Sequence, residues 1–108
     1  LLIGPTDRLQ QAEDGHWDEA PSLGKVLATL PQVAKDAGCA YWSSRAAMGG
    51  ERAMQRWQRQ EPALGLPDGV HLTQAGYEQL AAAFVKDLLG AYDATNKKAE
   101  PTARAEGP

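Results

Sequence analysis

The chain has 108 residues and a formal net charge of −3, from 11 Lys+Arg against 14 Asp+Glu, which fits one domain or part of one. At 43% hydrophobic and 23% charged residues its composition is that of an ordinary globular domain, which excludes collagen-like, coiled-coil and wholly disordered chains. No apolar run approaches the ~20 residues of a membrane span, the mild acidity gives no field that attracts nucleic acid, and Cys39 alone makes neither a disulfide framework nor a multi-cysteine zinc site.

Leu1-Leu2-Ile3 is a short apolar run closed by Gly4-Pro5, which reads as the end of a buried strand feeding a loop. That loop runs to about Pro21 and is long enough to suggest a functional one. From Ser22 to Ala37, Leu23, Val26, Leu27, Leu30, Val33 and Ala34 recur at helical spacing, with Ser22 placed to cap the start and Gly38 to stop the end. Pro31 inside it predicts a kink or two short helices. Cys39 to Trp42 reads as a second buried strand, with Cys39 an inert core residue. Strand, helix, strand is a βαβ unit, so the strands should be parallel. Two strands alone cannot form the doubly covered sheet such units need, so the chain reads as part of a larger domain.

Ser43 to Gly50 reads as a loop and Glu51 to Arg59 as a short helix with Met54 and Trp57 on one side. Trp57 and Trp42 read as core rather than as sugar platforms. After a second loop, 61–68, a final helix opens at Leu72 or Thr73, with Tyr77, Leu80, Ala81, Phe84, Leu88 and Ala91 as its apolar stripe. The last sixteen residues, 93–108, hold no Leu, Ile, Val, Phe, Tyr or Trp, and their charges cancel. They read as a disordered tail, leaving 1–92 as the folded part.

The chemistry lies in Pro67-Asp68-Gly69-Val70-His71-Leu72-Thr73. An imidazole can take a proton from a nucleophile and return it to a leaving group. A carboxylate on its other ring nitrogen fixes the tautomer and steadies the imidazolium. Asp68, three residues before His71, can supply that bond locally. The positive end of the following helix opposes a charged His71 by roughly 0.3–1 kcal/mol. Losing the carboxylate in a serine-protease triad costs about 10⁴ in rate, near 5.5 kcal/mol, so the carboxylate should win if the geometry is similar. Taken alone, Asp-x-x-His also fits a surface turn with a loop histidine.

The stretch Asp-Gly-Val-His-Leu-Thr-Gln-Ala-Gly-Tyr (68–77), followed by an amphipathic helix, resembles the last block of the SGNH, or GDSL-like, hydrolase family. Leu-Leu-Ile-Gly-Pro at 1–5, Ala-Gly-Cys-Ala-Tyr-Trp at 37–42, Ala-Ala-Met-Gly-Gly at 46–50 and Trp57 agree in order, and together they resemble the branch of secreted bacterial esterases acting on O-acetylated polysaccharide or peptidoglycan. The resemblance spans about residues 1–92. It implies the C-terminal part of a three-layer αβα sandwich with a parallel sheet. It also implies His71 as general base, Asp68 as its orienting partner, no cofactor, and a periplasmic or secreted location. The family's nucleophilic Ser and its oxyanion Gly and Asn lie in earlier blocks. No Gly-Asp-Ser or Gly-x-Asn-Asp occurs here. The resemblance therefore implies a serine esterase fragment, inactive by itself, whose partner is the missing N-terminal half of the domain.

Other readings stay open. Ser43 or Ser44 follows the second strand, where α/β sites gather, but no nucleophile-elbow pattern surrounds either. Met48, Gly49 and Gly50 are either a flexible turn or a wall of the substrate cleft, since glycine admits close ligand approach. His16 with Asp14 and Asp18 reads as solvated charge rather than a metal site. The alternative to an enzyme is a non-catalytic binding or assembly module on the same fold, the partner of another chain.

Overall fold

The computed structural model describes the backbone of residues 1–106 and the side chains of residues 1–96. Its strands are β1 (Leu2–Gly4), β2 (Leu9–Gln11), β3 (Trp17–Glu19) and β4 (Tyr41–Ser43); its helices are α1 (Leu23–Ala37), α2 (Ser44–Met48), α3 (Ala53–Gln58) and α4 (Gln74–Glu106). β1 and β4 pair in parallel, with Leu2 opposite Tyr41, Ile3 opposite Trp42 and Gly4 opposite Ser43. α1 packs against both strands, as a βαβ crossover must.

The long loop after β1 is not plain. It contains an antiparallel hairpin in which Leu9 faces Glu19 and Gln11 faces Trp17. Asp14-Gly15 makes the turn: Gly15 has φ +87°, and the Asp14 carboxylate accepts the His16 N–H at 2.9 Å. Each strand of the hairpin carries one apolar residue, Leu9 or Trp17, so neither shows an alternating pattern.

Several local expectations are corrected. α1 is one unbroken helix through Pro31, whose ring lies on the exposed side. Ser22 stands at its N-cap without a side-chain capping bond. At the other end Gly38 adopts φ +71°, and the Cys39 N–H bonds the Ala34 carbonyl at 2.8 Å, which closes the helix in a Schellman motif. Cys39 is therefore spent on the cap and is exposed, and the strand begins two residues later. Residues 44–48 form a helical turn instead of loop, started by Ser43, whose Oγ accepts the Ala46 N–H at 3.0 Å. α4 continues past residue 93, so 93–96 are helical, with 93–95 exposed. The side chains of the rest of the expected tail, and all of 107–108, lie outside the described residues.

The core sits away from the parallel pair. Leu9, Met48, Ala53, Met54, Trp57, Leu64 and Leu72 form it, with Trp17, Ala75 and Leu80 packed against them. Met54 and Trp57 fill this core from one side of α3, as their spacing predicts. Burial of Met54 is worth roughly 1.5–3 kcal/mol. The sheet side is open. Ile3 is 52% exposed and Leu88 49%, although Trp42 stacks edge-on against Phe84 at 5.1 Å and bonds Asp87 through its indole N–H. Of the predicted stripe of α4, Leu80 and Phe84 are half-buried while Tyr77, Ala81, Leu88 and Ala91 are exposed, and Val85, Leu89 and Tyr92 beside it are exposed too. Among the described residues the chain holds a parallel pair, an antiparallel hairpin and helices.

Candidate active site

The segment 64–73 is a clamped loop whose ends are buried. Leu64 and Leu72 insert into the core, and Gly65 and Leu72 form an antiparallel bridge. The Leu66 N–H donates to the His71 carbonyl at 2.9 Å, and the Thr73 N–H to the Leu64 carbonyl at 3.0 Å. Thr73 then starts α4: its Oγ1 accepts the Gly76 N–H at 3.1 Å while donating to the Ala63 carbonyl at 2.6 Å. That is the side-chain capping expected of Thr before a helix.

Gly69 ties the loop tip to the hairpin. Its carbonyl accepts the Leu9 N–H at 2.8 Å. Its φ is +74°, and a Cβ there would lie 2.9 Å from the Leu9 Cβ, so only glycine fits both the backbone conformation and the space. This tight tip presents the two side chains beside it. Asp68 Oδ1 accepts the N–H groups of Val70 at 2.8 Å and His71 at 2.9 Å. Its Oδ2 lies 2.6 Å from His71 Nδ1. One carboxylate oxygen therefore builds the turn and the other orients the ring. Nε2 of His71 has no protein partner among the described residues, and the side chain is 64% exposed. Sequence reasoning placed this pair correctly on a loop before a helix, and the structure brings the two groups together.

The hydrogen bond from the His71 side chain, with those from the His71 and Val70 backbone, holds the Asp68 carboxyl at about 2, below its ordinary 3.8. These bonds favour the charged form. The sign follows from linkage: a depressed carboxyl contributes its stabilisation above the unfolded value, near pH 4, and loses it as pH falls through about 2. Carboxyl-carbon NMR of Asp68 is expected to show a midpoint near 2; a midpoint near 3.8 would mean that the bond to His71 is not kept in solution.

A search of solved structures finds a peptidoglycan O-acetylesterase, described as "in action, 5 min", with a TM-score of 0.74 and 26% sequence identity. The match covers 85% of this chain and 26% of that one. This chain thus spans about a quarter of the length of the esterase it is similar to. No family model matches the chain, and no curated protein matches it.

The other sequence candidates are spread around the core. Met48 is 5% exposed; its side chain packs in the core and its carbonyl accepts the Trp57 indole N–H at 2.9 Å. Gly49 and Gly50 form the turn beyond it, at φ +119° and +88°. Arg56 pins this turn by donating to the Gly49 carbonyl at 2.9 Å and the Glu51 carbonyl at 3.0 Å. Ser44 is buried, and the Ser43 hydroxyl serves as a cap. Asp14 is engaged with the His16 backbone, and Asp18 with Arg52 at 2.8 Å.

Sequence reading missed one charged cluster altogether. Asp7 is fully buried; its Oδ1 takes Nε of Arg45 at 3.0 Å and its Oδ2 takes the Met54 N–H at 2.9 Å. Arg45 also pairs with Glu19. These residues tie the end of the β1 loop, the hairpin, α2 and α3 into one block. The Leu9 N–H of that block holds the Asp68–His71 loop through Gly69.

Proposed function

We propose that this chain supplies the Asp–His pair of a serine ester hydrolase of the SGNH type, acting on O-acetyl esters of peptidoglycan or a related carbohydrate. The observation that carries the reading is the 2.6 Å contact between Asp68 Oδ2 and His71 Nδ1, on a clamped loop that leaves Nε2 without a partner among the described residues. The likeness to a peptidoglycan O-acetylesterase supports it.

In this reading a serine from another part of the protein attacks the acetyl carbonyl, and its proton passes to Nε2 of His71. The imidazolium, held by the Asp68 carboxylate, then gives that proton to the sugar oxygen as it leaves. Water, deprotonated by the same nitrogen, releases acetate from the acyl-enzyme. No cofactor takes part. The Gly49–Gly50 turn forms a backbone wall of the cleft. The remainder of the domain covers Ile3 and the open stripe of α4, and the protein works in the periplasm or outside the cell.

The test uses the full-length protein. It is expected to release acetate from O-acetylated peptidoglycan and to turn over p-nitrophenyl acetate. A fluorophosphonate is expected to label a serine outside residues 1–108. Absence of both acetate release and label would replace the enzyme by a binding or assembly module.

A further inference from the structure

Beside the Asp68–His71 loop lies a cavity of about 490 Å³, walled by Leu9 and Trp17 of the hairpin, Gln55 and Arg59 of the α3 region, and Leu66 of the loop. Leu66 joins it to the site, because its N–H holds the His71 carbonyl at 2.9 Å. The volume lies in the range of small-ligand sites. Three of its polar side chains are unspent. Among the described residues the Arg59 guanidinium makes no ion pair, and neither the Gln55 amide nor the Trp17 indole N–H has a hydrogen-bond partner. Gln58, also on the wall, donates its amide to the Leu66 carbonyl at 2.9 Å and keeps its oxygen free.

We propose that this cavity binds an acidic sugar, a pyranose bearing a carboxylate, with the carboxylate on Arg59 and the ring against Trp17. A guanidinium offers a planar fork that matches a carboxylate. A glutamine side chain supplies both a donor and an acceptor for ring hydroxyls. An apolar acyl chain in the same space would offer neither the half-buried Gln55 amide nor the exposed Arg59 guanidinium a partner, and leaving the amide unpaired on burial is costly. A phosphate dianion is disfavoured too. Arg59 is the single free cation there, it stands at the carbonyl end of α3, and the chain carries a net charge of −3. That the bound sugar is part of the substrate rests on the esterase reading; that it binds does not.

The experiment follows the Trp17 indole N–H by NMR in the full-length protein, assigned with Trp17→Phe, during titration with glucuronate and with glucose. These sugars differ only in the carboxylate at C6. A saturable shift is expected with glucuronate, at least tenfold weaker with glucose. Arg59→Gln should bring glucuronate down to the glucose response; among the described residues the Arg59 side chain holds no partner, so an unchanged melting temperature certifies the fold. Equal response to both sugars, an unmoved Trp17 signal, or full glucuronate binding in Arg59→Gln overturns the proposal. His71→Ala separates the two ideas: glucuronate binding should survive it whether or not turnover does.

Discussion

Replacing His71 by alanine in the full-length protein is expected to lower kcat for p-nitrophenyl acetate by about 10⁴ or more, while KM changes little. General acid–base catalysis alone is worth about 10²–10⁴, and removal of the histidine from a coupled triad costs more because the nucleophile is idled with it. Asp68→Asn is the finer probe. The asparagine oxygen can keep the turn by accepting the Val70 and His71 N–H groups, now 2.8 and 2.9 Å from Asp68 Oδ1. Its NH₂ group would then face Nδ1, turning that nitrogen into an acceptor and moving the ring proton to Nε2. The loop stays folded with the wrong tautomer, and the rate should fall by up to about 10⁴, the cost of the equivalent change in a serine protease. The double variant should be no slower than His71→Ala, because the carboxylate acts only through the ring. Initial rates and melting curves of the three variants check this. Wild-type turnover in His71→Ala removes His71 from the chemistry.

The site was legible because it is local. Asp68 and His71 need only one turn to meet, and the turn is written in Asp-Gly with a capping Thr73 before the next helix. Met54 and Trp57 were legible for a similar reason, since a spacing of three on a short helix states which side is buried. The hairpin was not. Each of its three-residue strands holds a single apolar residue, so no alternation marks them, and only the Asp14-Gly15 turn signalled it. Cys39 misled because its apolar neighbours belong to a strand while its own N–H is committed to closing α1. α2 is a single turn, too short for any period to show. The Arg59 cavity was invisible because its walls come from the hairpin, the α3 region and the Asp68–His71 loop, which only the fold brings together.

Asp7 is the extreme case of a long-range role, and it carries the largest expected stability effect. In sequence it is one polar residue in a loop; its partners stand 38 and 47 positions further on. Asp7→Ala removes an acceptor from a fully buried backbone N–H at Met54, itself 0% exposed, and leaves Arg45 with Glu19 alone. Breaking a buried ion pair from one side costs about 3–5 kcal/mol. The Arg45 side chain retains 18% exposure and one carboxylate partner, so the lower end applies, about 3 kcal/mol. Asp7→Asn keeps an oxygen for Met54 and loses the charge, so it should cost about half as much; a hydrogen bond to a charged group is worth about 1.5–3 kcal/mol. Urea unfolding of the full-length protein measures both. The ordering Ala worse than Asn is the diagnostic, because it separates the buried N–H from the ion pair; equal losses would assign the whole effect to the charge. The same block holds the Asp68–His71 loop through Leu9 and Gly69, yet the contact between those two side chains is internal to that loop. Molecules of Asp7→Ala that remain folded should therefore still titrate Asp68 near 2, separating the stability of the scaffold from the geometry of the pair.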